Sequence, residues 1–346
     1  MTCRRFSLPL STPLSTAAGT IEHREGFVAR FDHRDAVGIG EATPLPGWTE
    51  SLDECERALE TALETYTEDG HTAALLELDA NTVPAARHGF ATALLDADAS
   101  ADGVSLAEWF DADAGSGSVP VNATIGDGTV DETVEAARSA VADGFDCLKL
   151  KVGVGELATD LERVHAVRAA VGRDVTLRVD ANGAWDRTTA SEAIDGLAEH
   201  GVQYAEQPLP AEDLAGHADL RHRGVEIALD EALRTHTAAE VFGSDAADVL
   251  VLKPMVVGGP GNAHTLAMRA RDAGIEPVVT TTIDGAIARA AAVHVAAAIP
   301  AVRPCGLATA SYLDEDLIDD PVPVTDGRIT APDGPGLGID PDEVSP

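Results

Sequence analysis

The sequence predicts an α/β protein in which a TIM-type barrel follows an N-terminal α+β domain. From about residue 120, short apolar strands alternate strictly with helical segments, the pattern of parallel βα units. About eight such strands occur before residue 305, and eight is the strand count of a TIM barrel. Before residue 120, strands are followed by helices without alternation, which indicates a separate α+β unit.

The first elements of the N-terminal unit carry recognisable local signals. Phe27–Phe31 and Ala36–Glu41 are apolar runs on either side of a polar turn, which predicts a hairpin. Ser51-Leu-Asp-Glu54 matches the S-x-x-E capping box, so a helix is expected to begin there. A second helix is expected to begin at Val83-Pro84, with proline in its first turn.

Domain boundaries follow from these patterns. The Gly- and Ser-rich segment Asp111–Ser118 is the predicted linker. We therefore expect an α+β unit over residues 1–117 and a barrel over residues 118–312. Residues 313–346 are acidic and proline-rich, with a short strand candidate at Pro321–Val324, and they are expected to return, pack on the N-terminal unit and complete it.

The barrel region supplies the alternating elements. Strands are predicted at residues 121–125, 145–152, 174–180, 203–206, 226–230, 248–253, 277–280 and 301–304, with helices near 131–142, 159–171, 188–200, 262–273 and 284–298. A doubly wound open sheet is the alternative architecture. No Gly-rich phosphate turn follows the first strand of the series, which counts against it.

Charge excludes several partner classes. The chain carries 59 acidic against 24 basic residues, a formal net charge of −35. No basic patch could neutralise phosphates, so neither nucleic acid nor an anionic membrane is an expected partner. The acids are spread along the chain, which indicates an acidic folded surface like that of proteins from high-salt cytoplasm. No sequence feature indicates an oligomeric state.

Other features indicate a cytoplasmic location. The four cysteines show no CxxC or metal-ligand spacing, so free thiols in a reducing compartment are expected. Arg4-Arg5 could begin a twin-arginine signal, but the segment that follows, up to Leu14, contains two prolines and no long apolar run. No stretch approaches the 18 apolar residues of a membrane span.

Lysine is almost absent, which marks the three lysines that remain. Lys149, Lys151 and Lys253 are the only ones, and every other basic residue is arginine. Lysine can release its proton and act as a base, whereas arginine cannot. Lys149 and Lys151 are two apart on a predicted strand, so their side chains are expected on one face. Two lysines whose stems lie along a strand end would be the structural explanation.

Charged residues end five successive predicted strands. Lys151, Asp180, Glu206, Asp230 and Lys253 are spaced by 29, 26, 24 and 23 residues, about one βα unit each. A single acid after a strand is usually a helix N-cap. Three acids on successive strands, flanked by the only lysines in the chain, instead indicate an active site at the carboxyl-terminal face of the barrel.

The chemistry of this set is that of proton abstraction next to a carboxylate. Three carboxylates suit Mg²⁺, or alternatively Mn²⁺. A cation between two lysines can hold the carboxylate of a small-molecule substrate and stabilise the enediolate formed when its α-proton is removed. Asn182 and Gln207 follow two of the acids and are expected to orient the ligand oxygens.

These motifs resemble those of the enolase superfamily, in the muconate-lactonizing-enzyme-like branch with a lysine on each side of the metal. The matching segments are Lys149-x-Lys151, Asp180-Ala-Asn182, Glu206-Gln-Pro208, Asp230-Glu231 and Lys253-Pro254. The resemblance covers nearly the whole chain. It implies an N-terminal α+β capping domain on a (β/α)₇β barrel, with Mg²⁺ held by Asp180, Glu206 and Asp230.

Within that branch the chain is most similar to the o-succinylbenzoate synthases. Gly38–Trp48, Arg178 and Gly306-Leu-Ala-Thr309 look like segments of that family. The implied reaction is a syn dehydration of 2-succinyl-6-hydroxy-2,4-cyclohexadiene-1-carboxylate in menaquinone biosynthesis. The resemblance implies that Lys151 is the base, Lys253 the ammonium that stabilises the enediolate, Lys149 an electrostatic neighbour, and Arg178, Gly258, Gly259, Thr281 and Thr282 substrate-binding residues.

The resemblance leaves related functions open. Racemisation or epimerisation of an acylated amino acid or a dipeptide is the enzymatic alternative, and a metal-binding barrel without catalysis is the non-enzymatic one. Dipeptide epimerases usually carry Asp-x-Asp after the last strand, where this chain has no acid in Pro304–Thr309. Asp284 stands where many relatives have glutamate, and no role is assigned to it. Loops near residues 14–26 and 44–48 are expected to close over the substrate.

Overall fold

The protein is described by a computed structural model over residues 2–16, 19–34, 36–114 and 117–344. Residues 17 and 18 of the predicted closing loop and residues 115 and 116 of the predicted linker lie outside these ranges. None of the helices found in the described ranges combines the length and apolar character needed to cross a membrane.

The chain begins with a three-stranded antiparallel sheet. Its strands are β1 (Thr2–Thr16), β2 (Gly19–His33) and β3 (Ala36–Ala42), in the order β1-β2-β3. The predicted hairpin is confirmed, because β2 and β3 pair with Phe27 opposite Ala42 and His33 opposite Ala36. The β1–β2 register shifts between Pro9 and Leu14, so residues 10–13 leave the regular ladder.

Helices follow this sheet in the chain. They are α1 (Leu52–Asp69), α2 (His71–Glu77), α3 (Pro84–Asp102) and α4 (Leu106–Phe110). Ser51 and Glu54 form the predicted capping box of α1. Helix α3 approaches β3 so closely that a Cβ atom at Gly40 would lie 2.0 Å from the carbonyl oxygen of Gly89. Glycine is therefore required at this contact.

The second unit is built on seven parallel strands in chain order. They are β5 (Ala123–Ile125), β6 (Cys147–Lys151), β7 (Thr176–Asp180), β8 (Val202–Glu206), β9 (Glu226–Leu229), β10 (Val249–Leu252) and β11 (Glu276–Val279), preceded by the separate strand β4 (Ser118–Pro120). Each strand pairs with the next one along the chain. The order never reverses, which excludes the doubly wound alternative for these strands.

Helices connect these strands. They are α5 (Val130–Ala142), α6 (Leu157–Val171), α7 (Arg187–Glu199), α8 (Leu214–Leu220), α9 (Ala232–Thr235), α10 (Ala238–Gly243), α11 (Pro260–Asp272) and α12 (Ala286–Ala297). The sequence patterns did not indicate the short helices α9 and α10, which contain only four and six residues.

The eighth predicted strand differs from expectation. Residues 301–304 form no ladder, and the two edges of the sheet are instead linked by single bridges, from Cys305 to Val121 and from Gly306 to Thr280. Pro304 has no backbone N–H to donate, which shortens the pairing segment. The fold is therefore a curled parallel sheet with a separate N-terminal unit, and a complete barrel stays a prediction.

The C-terminal residues contact both units. Strands β12 (Val324–Thr325) and β13 (Arg328–Thr330) form a small sheet with β4, in the order β12-β13-β4. The predicted strand at 321–324 is shorter than expected, because only Val324 of that segment pairs. Leu313 bridges Leu10, and Gly336 bridges Ser105, so these two positions also contact the N-terminal unit.

A buried carboxylate joins the two units. Glu41 of β3 is fully buried and accepts hydrogen bonds from the backbone N–H groups of Gly285 (2.7 Å) and Ala288 (3.0 Å), at the amino-terminal end of α12. Burial, together with the nearby Asp284 and Asp316, raises the pKa of Glu41 to about 7. The helix terminus favours negative charge, but burial outweighs this effect.

This junction predicts how stability depends on pH. The pKa of Glu41 is raised, so the folded protein keeps a proton that the unfolded chain releases above about pH 4.5. Relative to Glu41→Gln, wild-type unfolding free energy should fall between pH 4.5 and 7, by at most about 1.4 kcal/mol per pH unit. Urea denaturation at constant ionic strength measures it. A difference that stays constant across this window would contradict the assignment.

Candidate active site

The five charged strand-end residues lie side by side at one edge of the parallel sheet. Lys151 is the Cα partner of Asp180, and Asp180 is the partner of Glu206. Asp230 and Lys253 directly follow β9 and β10. The strand periodicity places Lys149 and Lys151 on one face, as the sequence predicts. Parallel register therefore brings together side chains that are up to 102 residues apart in the sequence.

Lys149 lies behind the carboxylates. Its Nζ is 2.9 Å from both carboxylate oxygens of Glu206 and 3.2 Å from Oδ2 of Asp180. Burial alone would lower the pKa of Lys149, but the charges of Glu206 and Asp180 raise it well above its usual value. Lys149 therefore stays an ammonium ion that holds two carboxylates together.

Lys151 lies at one end of the carboxylate row. Its Nζ donates to Oδ2 of Asp180 (2.7 Å) and to Oδ1 of Asn182 (2.9 Å). The amide of Asn182 in turn donates to Glu231 at 3.0 Å. The Lys151 side chain is 36% exposed, compared with 11% for Lys149, so Lys151 is the lysine of this pair that a substrate can reach.

Lys253 lies at the other end of the row. Its Nζ donates to Oδ2 of Asp230 and lies 3.4 Å from the ring centroid of Trp48, a residue of the N-terminal unit. The backbone N–H of Asp230 donates to the side-chain oxygen of Gln207 at 3.1 Å, which fixes the backbone at this ligand position. Lys151 and Lys253 thus flank the carboxylates.

The three carboxylates differ in their proton affinities. Burial opposes ionisation of Asp180, but Lys149 and Lys151 outweigh it and hold its pKa well below the usual range. Burial and the charge of Asp180 raise the pKa of Glu206 to about 7. Burial also raises the pKa of Asp230 to about 6, although Lys253 opposes the shift. Negative charge is therefore only partly neutralised by the lysines.

This donor set fits a divalent cation. Carboxylate oxygens are the ligands that Mg²⁺ and Mn²⁺ prefer, and a cation here would oppose the effect of burial, which raises the pKa values of Glu206 and Asp230. A single ammonium group contacts both Glu206 and Asp180, so one cation can reach both. In the present side-chain arrangement, the described residues contain no cluster of three His, Cys, Asp or Glu side chains close enough to hold an ion.

A cavity of about 380 Å³ opens above these groups. The N-terminal unit contributes Leu10, Thr12, Pro13, Leu14, Leu45 and Trp48; the sheet unit contributes Thr124, Lys149, Lys151, Asp180, Asn182, Glu206, Asp230, Lys253, Thr280, Thr281, Thr282, Ile283, Gly306, Thr309 and Tyr312. Among the described lining residues, the only acids are the three of the carboxylate row.

Two of the predicted substrate-binding residues line this cavity. The Thr281 hydroxyl is 3.0 Å from that of Thr309, and the Thr282 hydroxyl donates to the buried carboxylate of Asp284. Asp284, which had no assigned role, thus fixes the rotamer of a cavity threonine. The substrate-binding roles of Thr281 and Thr282 stay predictions.

The structure places the other three predicted substrate-binding residues elsewhere. Arg178 is fully buried, and its Nε donates to Gln203 at 2.8 Å. Gly258 and Gly259 have φ angles of +78° and +128°. A Cβ atom on Gly258 would lie 2.7 Å from that of Ala80 in the N-terminal unit. Backbone conformation and close packing therefore explain these glycines, and none of the three residues lines the cavity.

Several cavity residues carried no sequence signal of their own. Leu10, Thr12 and Pro13 reach the cavity because the β1–β2 register shifts next to them. Tyr312 lies three residues beyond the motif Gly306-Leu-Ala-Thr309, so the motif did not indicate it. The proximity of Trp48 to Lys253 depends on how the two units pack, which no local pattern encodes.

Two family models match the chain. The model described as "Enolase C-terminal domain-like" matches residues 132–345, and the model described as "MenC, N-terminal domain" matches residues 1–97. The first match includes all five charged strand-end residues. The second covers the sheet and most of the helices of the N-terminal unit.

Individual relatives extend over different lengths. The chain is 32% identical to muconate cycloisomerase 1-1 of Acinetobacter lwoffii, over 89% of this chain and 84% of that protein. It is 40% identical to the o-succinylbenzoate synthase of Thermobifida fusca, over 59% of this chain and 63% of that protein. The dipeptide epimerase of Enterococcus faecalis, solved with Mg and the dipeptide L-Leu-L-Tyr, superposes with a TM-score of 0.84 at 27% identity, over 97% of this chain and 98% of the other.

The charge arrangement predicts unequal effects of removing the two neighbouring lysines. Lys149→Met leaves two buried carboxylates without their shared partner and should lower the unfolding free energy by about 3–5 kcal/mol. Lys151→Met, the matched control, should cost less, because Lys151 is more exposed and Asp180 keeps Lys149. Urea denaturation in the presence of EDTA measures both. Equal losses would show that Lys149 has no special structural role.

Proposed function

The chain belongs to the enolase superfamily, and from this membership we propose that it catalyses the reaction of the o-succinylbenzoate synthases. The reaction is a syn dehydration of 2-succinyl-6-hydroxy-2,4-cyclohexadiene-1-carboxylate, a step of menaquinone biosynthesis. Relatives of the chain include lyases and isomerases. One observation carries the proposal: Lys151 and Lys253 face one cavity from opposite ends of three buried carboxylates.

In the proposed mechanism Lys151 performs both proton transfers. Its neutral amine takes the α-proton, and the electron pair of the broken C–H bond moves into the substrate carboxylate to form an enediolate. The electron pair then returns to form the ring double bond as the adjacent C–O bond breaks. The Lys151 ammonium gives its proton to the departing hydroxide, which leaves as water. One residue on one face can perform both transfers only if the elimination is syn.

The remaining charged residues stabilise the anion. Lys253 approaches from the opposite side, where its ammonium group offsets the charge that develops on the enediolate. Lys149 stays protonated behind Asp180 and Glu206 and keeps these side chains together. Asp180, Glu206 and Asp230 would hold Mg²⁺, or Mn²⁺ in its place. When bound, the cation supplies positive charge at the substrate carboxylate.

The cavity lining supports this substrate over an aminoacyl one. A free α-ammonium group needs a carboxylate partner, yet the acids that line the described cavity are the three of the proposed cation site. The N-terminal unit contributes four aliphatic or proline side chains and one indole, which suit the carbon skeleton of a cyclohexadiene. The match of residues 1–97 to the MenC N-terminal domain is further support.

Racemisation of an N-acylated amino acid, or epimerisation of a dipeptide, is the second candidate. The symmetrical placement of Lys151 and Lys253 favours it, because a two-base mechanism needs one lysine on each face. The superposition with a dipeptide epimerase also agrees with this candidate. An acylated amino group carries no charge, so the lining disfavours dipeptides more than N-acyl substrates.

Three further assignments complete the proposal. A capping domain over residues 1–117, completed by 313–346, closes on a (β/α)₇β barrel over 118–312. The predicted loop at 14–26 is not confirmed, because residues 14–16 belong to β1 and residues 19–26 belong to β2. The end of β1 and the loop at 44–48 would cover the substrate, supported by Leu14, Leu45 and Trp48 in the lining. Cytoplasmic location is supported by four unpaired thiols, three of them buried.

Replacing the proposed base tests the mechanism. Lys151→Arg keeps the positive charge but cannot release its proton, so kcat for dehydration should fall by about 10²- to 10⁴-fold. The loss of substrate absorbance measures turnover, and titration with Mn²⁺ checks that the cation still binds. EDTA should abolish turnover of the wild type, and Mg²⁺ should restore it. Full activity of Lys151→Arg would eliminate Lys151 as the base.

Proton exchange in D₂O separates the two candidate functions. Dehydration should proceed with a kcat/KM at least about 100-fold above that for α-proton exchange of N-succinyl amino acids, because the proposed dehydration needs proton transfer by Lys151 alone, whereas exchange of both enantiomers also needs Lys253 as a base. Proton NMR of both enantiomers measures exchange, and Lys253→Arg is the control that removes the second base. Comparable exchange of both enantiomers, faster than dehydration, would favour the racemase.

A further inference from the structure

Trp48 is held in place by a short, internally bonded turn of the N-terminal unit. The backbone N–H groups of Trp48 and Thr49 both donate to the carbonyl of Leu45 at 2.9 Å. The N–H of Leu45 donates to the Thr49 hydroxyl at 2.8 Å. Gly47 adopts a φ angle of +94°, which a side chain would oppose. The indole therefore projects from a defined backbone position.

The indole covers the ammonium group of Lys253. The Nζ atom lies 3.4 Å from the ring centroid, within the range of a cation–π contact with tryptophan. Asp230 is the hydrogen-bond partner of the same ammonium group. Lys253 is thus held on one side by the carboxylate and on another by the aromatic face, and it lines the active-site cavity.

Trp48 also separates two cavities. It lines the active-site cavity together with Lys253, and it lines a neighbouring cavity of about 640 Å³ together with Arg234. The guanidinium carbon of Arg234 is 5.1 Å from the indole ring. The indole is therefore the wall that the two cavities share, and its removal would open the Lys253 side of the active site to the second cavity.

We propose that Trp48 is a positioning residue for Lys253, an inference that rests on the function proposed above. Asp230 would be shared between Lys253 and a divalent cation, and a cation draws carboxylate charge away from the ammonium group. The contact with Trp48 does not involve Asp230, so it persists when the cation binds. The indole then keeps the Lys253 ammonium group directed at the enediolate. It also prevents water in the second cavity from reaching the active site.

The location of Trp48 makes the N-terminal unit part of the acid–base machinery. Lys151 is positioned by Asp180 and Asn182, which belong to the sheet unit. Lys253 is positioned by Asp230 of the sheet unit and also by Trp48, a residue 205 positions earlier in the chain. Of these two lysines, Lys253 is therefore the one whose position depends on how the N-terminal unit docks.

Two substitutions test this role in the Mg²⁺-loaded full-length protein. Trp48→Leu removes the aromatic face and should lower kcat for dehydration about tenfold, equivalent to about 1.4 kcal/mol, with KM and Mg²⁺ affinity changed less than about threefold. Trp48→Phe keeps an aromatic face and should retain kcat within about threefold. Trp109→Leu removes another indole of the N-terminal unit outside the cavity and is the matched control. Equal kcat for Trp48→Leu and Trp48→Phe, or an effect confined to KM, would overturn the proposal.

Fluorescence tests the contact without relying on turnover. Lys253→Met should shift the tryptophan emission of the Mg²⁺-loaded wild type and leave that of Trp48→Phe unchanged, because the shift requires both partners. No shift in either background would overturn the inference. If the wild type fails to dehydrate the cyclohexadiene substrate, the proposed function fails, and the fluorescence comparison alone decides whether Trp48 contacts Lys253.

Discussion

The active site depends on the need to balance the charge of three carboxylates buried on adjacent strand ends. Parallel pairing places Asp180 beside Glu206, and burial makes each charge costly unless a cation is near. Lys149 meets part of that need from behind and cannot serve as a base while it does so. What remains is a cavity edge with unneutralised negative charge and one lysine at each end, an arrangement that suits the proposed cation and the proposed proton chemistry.

The cavity has walls from two units, so its shape depends on how firmly they are joined. Arg24 of the N-terminal unit donates to the carbonyl groups of Ile283 (3.0 Å), Thr43 (2.9 Å) and Pro44 (3.1 Å), spanning the junction beside the cavity. Glu41 binds the start of α12 a few residues away. The buried polar links thus lie directly behind the turn that carries Trp48 and the segment that carries Thr282, and they fix both walls relative to each other.

The sequence was most informative where chemistry and periodicity coincide. Lys151, Asp180 and Glu206 could be placed at strand ends because each ends an apolar run, and βα spacing then brings them together. The Ser51 helix start was equally readable, since a capping box is a local motif. These predictions needed only the geometry of one strand or one helix turn.

The sequence was least informative where the outcome depends on packing between distant segments. Arg178 lies two residues before Asp180, a predicted metal ligand, and therefore shares its strand face. Its guanidinium group is nevertheless buried in the interior of the curled sheet, 4.6 Å from the ring of Tyr204. Residues 301–304 read as a strand, yet the closing contacts fall on Cys305 and Gly306. No local sequence pattern distinguishes these outcomes. The contact between Trp48 and Lys253, which joins the two units, is likewise not encoded in any local pattern.

The scarcity of lysine also determines how this protein can be handled chemically. All three lysines lie in or behind the active site, and Lys151 has the largest exposed fraction of the three side chains. Amine-reactive dyes, crosslinkers and immobilisation resins, which usually decorate a protein surface at random, would here act at the active site or at the chain terminus. Attachment that preserves the site would have to use the abundant surface carboxylates. Because surface lysines are missing, an amine-reactive reagent would instead label the active site.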